Sequence, residues 1–399
     1  MNHKKATGVT DVDERVSRAP SAAVNRVLLA IALVVAGAAM PAAGPAAAVA
    51  ATPVTAQPVR GTLLGVAGTS AHDVWAVGFR PSGTLTEHWN GVRWRVVPSP
   101  SPGTGKPAFS VLSGVAAVSR ADAWAVGSYS SGPDPLTATT NALIEHWNGQ
   151  RWTRVPCPCS HSEDGVPSLA GIAAVSRTDI WAVGSGVSRP LIVRWNGTKW
   201  TTQSLAGNGE DELTAVSATS AYNAWAVGSD VANGHSLIAH WDGDKWSLVR
   251  NPNPGHFNVL NAVTAISRTD AWAVGQDSRK EVKIEHWNGG FWSLKPNPHI
   301  TGILTVFNGV SAAPNGAVWA VGKRTVTKSL LDKTLTARWT GTQWINVRSP
   351  DFGSSVTADN RLNGVFAPSA HSVWAVGGFS DLYAVIEHWN GRKWHLIAP

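Results

Sequence analysis

The chain has 399 residues and a formal charge of +7, with 15% of its residues charged. Five Lys/Arg and three Asp/Glu fall in the first fifty residues, so the rest carries +5, too slight a surplus over a large surface to call for nucleic acid. Two Cys rule out a disulfide framework, which leaves a packed core to hold the fold.

In chain order, Lys4, Lys5, Arg15, Arg18 and Arg26 precede an apolar run from Val27 to Ala39 and the small residues Ala48-Val49-Ala50. This predicts a signal peptide over residues 1–50, cleaved near Ala50, and hence a secreted, extracellular protein. The run is shorter than the roughly 18 to 20 residues a spanning helix needs, and Pro41 and Pro45 interrupt it, so no membrane span is expected after cleavage. Residues 51–59 read as a linker.

From residue 60 onward all 21 Trp fall into three positions of a unit that occurs seven times. The first position is the Trp of a Trp-Ala-Val-Gly segment: Trp75, Trp124, Trp181, Trp225, Trp272, Trp319 and Trp374. The second is Trp89, Trp147, Trp195, Trp241, Trp287, Trp339 and Trp389, and the third follows each of these by five residues. First-position Trp residues recur every 44 to 57 residues, a propeller-like period.

Each unit reads as four short strands. In the second they are Leu112 to Val118 (a), Ala123 to Val126 (b), Leu143 to Trp147 (c) and Trp152 to Val155 (d). Ser-x-x-Asp joins a to b, as in Ser119 to Asp122, and the Ser is kept in six units, with Pro314 replacing it in the sixth. Gly91, Gly149, Gly197, Gly243, Gly289, Gly341 and Gly391 occupy the c–d turns, mostly after Asn, a tight-hairpin signal. The prediction is an all-β, seven-bladed β-propeller of four antiparallel strands per blade, spanning residues 60–399. The blades are expected at about 60–102, 108–158, 168–205, 211–254, 258–298, 303–350 and 360–399, with no strand shared across the chain ends.

Trp124-Ala-Val-Gly127, Glu145-His-Trp-Asn-Gly149, Trp152 and Pro156 stand in the order of a kelch repeat, and the unit resembles those of kelch and galactose-oxidase-like propellers. The kelch double glycine is present only as Gly377-Gly378. Ser-x-x-Asp near a Trp also resembles the Asp-box of sialidase-type propellers, at altered spacing. Neither resemblance implies an activity. The copper site of galactose oxidase needs tyrosines that Tyr129, Tyr222 and Tyr383, in separate units, do not supply.

Glu-His pairs at 87–88, 145–146, 285–286 and 387–388 suggest acid/base chemistry one by one. Their recurrence at equivalent positions, with Arg194 and Arg338 replacing His, points to a structural role instead. No catalytic residue, metal site or cofactor is expected. Cys157-Pro158-Cys159-Ser160-His161 has no counterpart; a local disulfide, a Cys-x-Cys-x-His metal site without a fourth ligand, and two free thiols compete, and export favours the Cys157–Cys159 disulfide.

Variation concentrates at one end of the blades. The second-position Trp follows the first by 14, 23, 14, 16, 15, 20 and 15 residues, so the b–c loops differ in length and 128–142 and 323–334 are the longest. Just past strand b the repeat breaks down, which makes Arg80, Tyr129, Asp230, Asp277, Arg324 and Phe379 candidate ligand contacts. Asn261, Asn308 and Asn363, at the start of strand a in consecutive units, are further candidates, with satisfaction of backbone groups in an axial channel as the competing role. The expected function is non-enzymatic: a monomer that recognises a glycan or other cell-surface polymer, or a protein, through the b–c and d–a loops. The alternative is an extracellular carbohydrate-active hydrolase or lyase with its site at the mouth of the axis, using residues such as His161, Glu163, Asp164, Asp230 and Asp277.

Overall fold

A computed structural model of the chain describes residues 59–104, 108–132, 138–159, 166–186, 189–205, 211–326, 329–353 and 359–397. The expected signal peptide, most of the linker, and His161, Glu163 and Asp164 lie outside the described residues.

Every element among the described residues is a strand, and the strands form seven four-stranded antiparallel sheets ordered a-b-c-d. The inner strands Thr62–Ser70, Ser110–Ser119, Ser168–Ser176, Asp211–Ser220, Val259–Ala265, Leu304–Ala312 and Asn360–Ser369 adjoin in sequence, and the last adjoins the first. Together they enclose one axial cavity of about 180 Å³. This is a closed seven-bladed propeller.

The tryptophans account for its closure. The first-position Trp of each blade meets the second and third of the next, at centroid distances from 4.9 Å for Trp75–Trp147 to 5.5 Å for Trp124–Trp200. The third ring stands edge-on, as in Trp181–Trp246 at 88°. The pattern ends where it began, with Trp374 against Trp89 and Trp94. Edge-to-face packing of large rings suits their quadrupoles and buries much apolar area per contact.

A second device repeats around the axis. Strand a skips one partner in every blade, leaving Leu64, Ser113, Ala170, Thr214, Asn261, Asn308 and Asn363 as bulged residues. The bulge presses a strand-a carbonyl onto the Gly of Trp-Ala-Val-Gly. A Cβ there would lie 1.8 Å from the Glu212 carbonyl oxygen at Gly228 and 2.1 Å from that of Val259 at Gly275. Close approach of backbone, not a special turn, therefore demands this glycine.

The turns form as the sequence predicts. All seven c–d glycines have positive φ, between 90° and 110°. The preceding Asn accepts backbone N–H groups two and three residues on, as Asn90 does from Val92 and Arg93 at 3.0 Å. The a–b Ser side chains do the same, and Asn315 takes over in blade six.

One expectation needs correction and another an addition: no strand is shared across the chain ends, yet an isolated bridge joins them. The long b–c loop of blade two is largely sheet: Asp122–Ser131 pairs with Thr139–Trp147 out to Ser131↔Thr139, helped by a 3.0 Å hydroxyl contact between that pair. Ring closure also uses chain from the far end. Gly61 N–H donates to Leu382 at 3.0 Å and Ala384 N–H to Val59 at 2.9 Å, so residues 59–61 pair with strand c of blade seven. The reason lies in the repeat. In blades one, four and six the link after strand d supplies an acceptor for this N–H, Ser101 for Thr84, Asn253 for Ser236 and Asp351 for Thr334, and in blade five Thr305 of the following strand a serves Val282. Blade three places Pro190 there and has no N–H to satisfy.

Candidate functional site

The residues that look chemical are absorbed by the scaffold. Each strand-c His lies against the first-position Trp of its own blade, 4.2 Å between centroids for Trp75–His88, and reaches the start of strand b, as His88 Nε2 does to Asp73 at 2.7 Å. Arg194 replaces this pair in blade three, donating to Asp179 at 2.7 Å while lying 4.5 Å over Trp181. The adjacent glutamates are sealed between blades. Burial pushes Glu87 up to about 7 and Glu145 and Glu387 up to about 8, and raises Glu285, which the buried Lys283 ammonium meets at 2.9 Å. All four carboxyls are fully buried, so raised basicity does not here mean reach to a substrate.

The axial asparagines span blades. Asn261 Nδ2 donates to the Phe307 carbonyl at 2.9 Å, Asn308 to Leu362 at 2.9 Å and Asn363 to Leu63 at 2.8 Å, and Thr214 makes the equivalent bond to Leu260 at 2.7 Å. Their amide protons thus serve the backbone of the neighbouring blade while the side chains line the axial cavity.

The six candidates past strand b are spread around the rim and do not converge on one pocket. Tyr129 is buried in a hydrophobic cluster, 7% exposed, under Arg154, which donates to its hydroxyl. It is not the exposed loop residue the sequence suggests. Asp277, also buried, takes two bonds from Arg279 at 2.9 and 2.7 Å and organises its own loop. Asp230 accepts from Asn233 at 3.1 and 2.7 Å. Phe379 packs edge-on against Phe352 at 5.0 Å, and Arg80 is half-buried at the end of its strand. Arg324 donates to Thr301 at 3.2 Å and lines a cleft of about 460 Å³ on blade six that also holds Arg348 and Asp351.

What the sequence does not announce is a sector over blades four to seven at this same end. All five non-glycine residues with positive φ among the described residues lie there: Phe257, Lys280, Leu330, Ser380 and Asp381. Such conformations cost of order 1 kcal/mol or more each and persist where surroundings over-determine them. Here the loops are tied to neighbours: Thr305 N–H donates to Lys280 at 2.8 Å, Asp332 N–H to Asp359 at 2.9 Å, and Ser380 N–H to the Asp359 carbonyl at 2.7 Å. Phe257 and Leu330 are also 81% and 69% exposed, with Ile303 and Leu382 exposed nearby in the chain's loops. A cleft of about 240 Å³, lined by Asp332, Asp359, Arg361 and Asp381, opens between blades six and seven. The available signal was a bulky apolar residue inside an otherwise polar loop.

No family model and no curated protein matches the sequence. Solved structures match the fold. U3-55K aligns at a TM-score of 0.54 with 13% identity, covering 81% of this chain and 90% of that one. The extracellular domain of BT4673 from B. thetaiotaomicron aligns at 0.50 with 11% identity, over 84% of this chain and 40% of that one. YCF48 bound to D1 peptide aligns at 0.47 with 15% identity, over 76% and 84%. At these identities the likeness is one of propeller architecture. No helix among the described residues is long and apolar enough to cross a membrane.

Proposed function

We propose that this is a secreted, kelch-like binding propeller that recognises a protein surface through the b–c and d–a loops of blades four to seven. The observation that carries the reading is the coincidence there of five non-glycine positive-φ residues with exposed Phe257, Ile303, Leu330 and Leu382. Loops held in costly conformations by bonds within themselves and to neighbouring segments present those side chains in fixed positions, which lowers the ordering cost of binding. Apolar anchors beside salt-bridged Arg361–Asp381 and Lys323–Asp332 suit a protein partner, with an apolar centre and a polar rim, better than a glycan, which calls for aromatic platforms.

The test is selection of displayed peptides, alongside a polysaccharide panel, on the full chain and on Leu330→Ser and Val92→Ser variants. Peptides retained by Val92→Ser and lost by Leu330→Ser support the reading. Binding of polysaccharides alone would make the ligand a glycan, and steady-state turnover of one would replace the reading with an enzyme. Export is checked by N-terminal sequencing of the protein from culture medium, where a start near residue 51 is expected.

A further inference from the structure

Cys157 and Cys159 are joined by a disulfide with Cα atoms 5.1 Å apart. Both lie in the link between strand d of blade two, Trp152–Val155, and strand a of blade three, Ser168–Ser176, and only Pro158 separates them. The bond therefore ties no two blades together, and a loop this short removes little entropy from the unfolded chain. It is badly placed for a staple.

The repeat explains what the position offers. Other blades carry the same pattern of two residues flanking a proline: Ser99-Pro100-Ser101 in blade one and Asn251-Pro252-Asn253 in blade four. There the two flanking side chains converge on one hydroxyl of strand c. Ser99 and Ser101 Oγ lie 2.7 and 2.9 Å from Thr84 Oγ1, and Asn251 and Asn253 meet Ser236 Oγ at 2.8 and 2.7 Å. In blade two the equivalent of that hydroxyl is Ala142, which has nothing to offer, and the converging pair is two sulfurs. The link backbone already holds unbonded pairs elsewhere in the ring, so it accommodates a dithiol as readily as a disulfide. A site that changes redox state without refolding needs that property.

The surroundings supply access and charge. Cys159 is 8% exposed and Cys157 is the more open of the two. Arg154 lines the same small cavity as both sulfurs, and a cation beside a thiol favours the thiolate. On the other side Cys159 walls a cleft of about 360 Å³ between blades two and three, to which Arg189, Leu191 and Gln203 contribute.

We propose that Cys157–Cys159 is a thiol–disulfide exchange site that oxidises a cysteine-containing peptide dithiol whose chain lies along this cleft and whose thiols approach at the small cavity that both cysteines line. The first substrate thiolate attacks Cys157 Sγ; the S–S bond breaks and its electron pair leaves on Cys159, which lines the same cavity as Arg154. The second substrate thiolate then attacks the substrate sulfur of the mixed disulfide, expelling Cys157 as thiolate. One substrate disulfide and one protein dithiol result, and the two protons from the substrate thiols end on the two cysteines.

The test uses the full chain and a fluorescent synthetic peptide with two cysteines. Oxidised protein should convert the reduced probe one for one, with two protein thiols appearing by mass and no change in melting temperature or Trp emission. With oxidised probe, Cys159→Ser should trap at least about tenfold more mixed disulfide than Cys157→Ser, whose remaining thiol is buried. A bond that resists excess dithiothreitol in native buffer overturns the proposal, as does equal trapping by the two variants. Reduction that lowers the melting temperature by more than about 3 °C would make the bond a staple after all.

Discussion

The two ends of the propeller are built from the same strands and obey different rules. At the a–b and c–d end, seven turns of each kind repeat nearly atom for atom: Ser or Asn side chains cap short turns, and every c–d glycine sits at the same positive φ. At the b–c and d–a end, left-handed glycines such as Gly234, Gly255 and Gly353 are joined by non-glycine residues, Phe257, Leu330 and Asp381 among them. The difference teaches where each cost falls. One end adopts its conformation with residues that favour it, whereas the other also holds disfavoured residues, in loops tied by bonds within themselves and to neighbouring segments.

The largest effect should come from the scaffold's tightest point. Gly228→Ala places a Cβ 1.8 Å from the Glu212 carbonyl oxygen, so the strand-a bulge must open. A loss of more than about 4 kcal/mol in denaturant unfolding is expected, or failure to fold. A loss under 1 kcal/mol would show that the bulge is soft and not part of the rigid frame. Next comes Trp181→Ala, which empties a fully buried site against Trp241 and Trp246 and should cost about 3 to 5 kcal/mol. Peptide binding per folded molecule should be unchanged.

The interfaces between blades should also respond to pH. Glu87, Glu145 and Glu387 are held protonated in the folded chain, up to about 7, 8 and 8, whereas the unfolded chain ionises them near 4.5. Their folded values are raised, so the stability they confer is complete below about pH 4.5 and fades as pH climbs to about 8. Melting at pH 5 and pH 8 should differ, and Glu145→Gln should remove a share of that difference on the order of a few kcal/mol. An unchanged slope in the variant would mean that the carboxyl is not buried as described.

The blade count, strand order and turn chemistry were all legible, because each blade repeats one hydrophobic period and one set of turn residues seven times. The Gly of Trp-Ala-Val-Gly was visible but not its reason, since the bulge that crowds Gly78 and Gly228 depends on register between two strands. The pairing of residues 59–61 with blade seven was missed for a related cause: it repairs an omission at Ala384 that only comparison with Thr84 and Ser236 reveals. For the site, departure from the repeat points to the same end of the molecule as the left-handed non-glycine residues, but to different residues. Tyr129 and Asp277 depart from it because they pack and organise loops, and burial cannot be read from a break in periodicity.

The smallest effect on stability is expected where the effect on function should be clearest. Leu330 is 69% exposed, and its backbone is held by a bond from its own N–H to Val326 at 2.8 Å, which a side-chain change leaves intact. Leu330→Ser should therefore move the unfolding free energy by no more than about 0.5 kcal/mol, the range for exposed positions. If the side chain anchors a protein partner, the same change should weaken binding by about 1 to 3 kcal/mol. Leu330→Gly separates the two properties. It keeps the left-handed conformation without a Cβ penalty, so it should be neutral or slightly stabilising to the loop while losing as much binding as Leu330→Ser. Binding restored by glycine would place the function in the loop's backbone path and not in the side chain it presents.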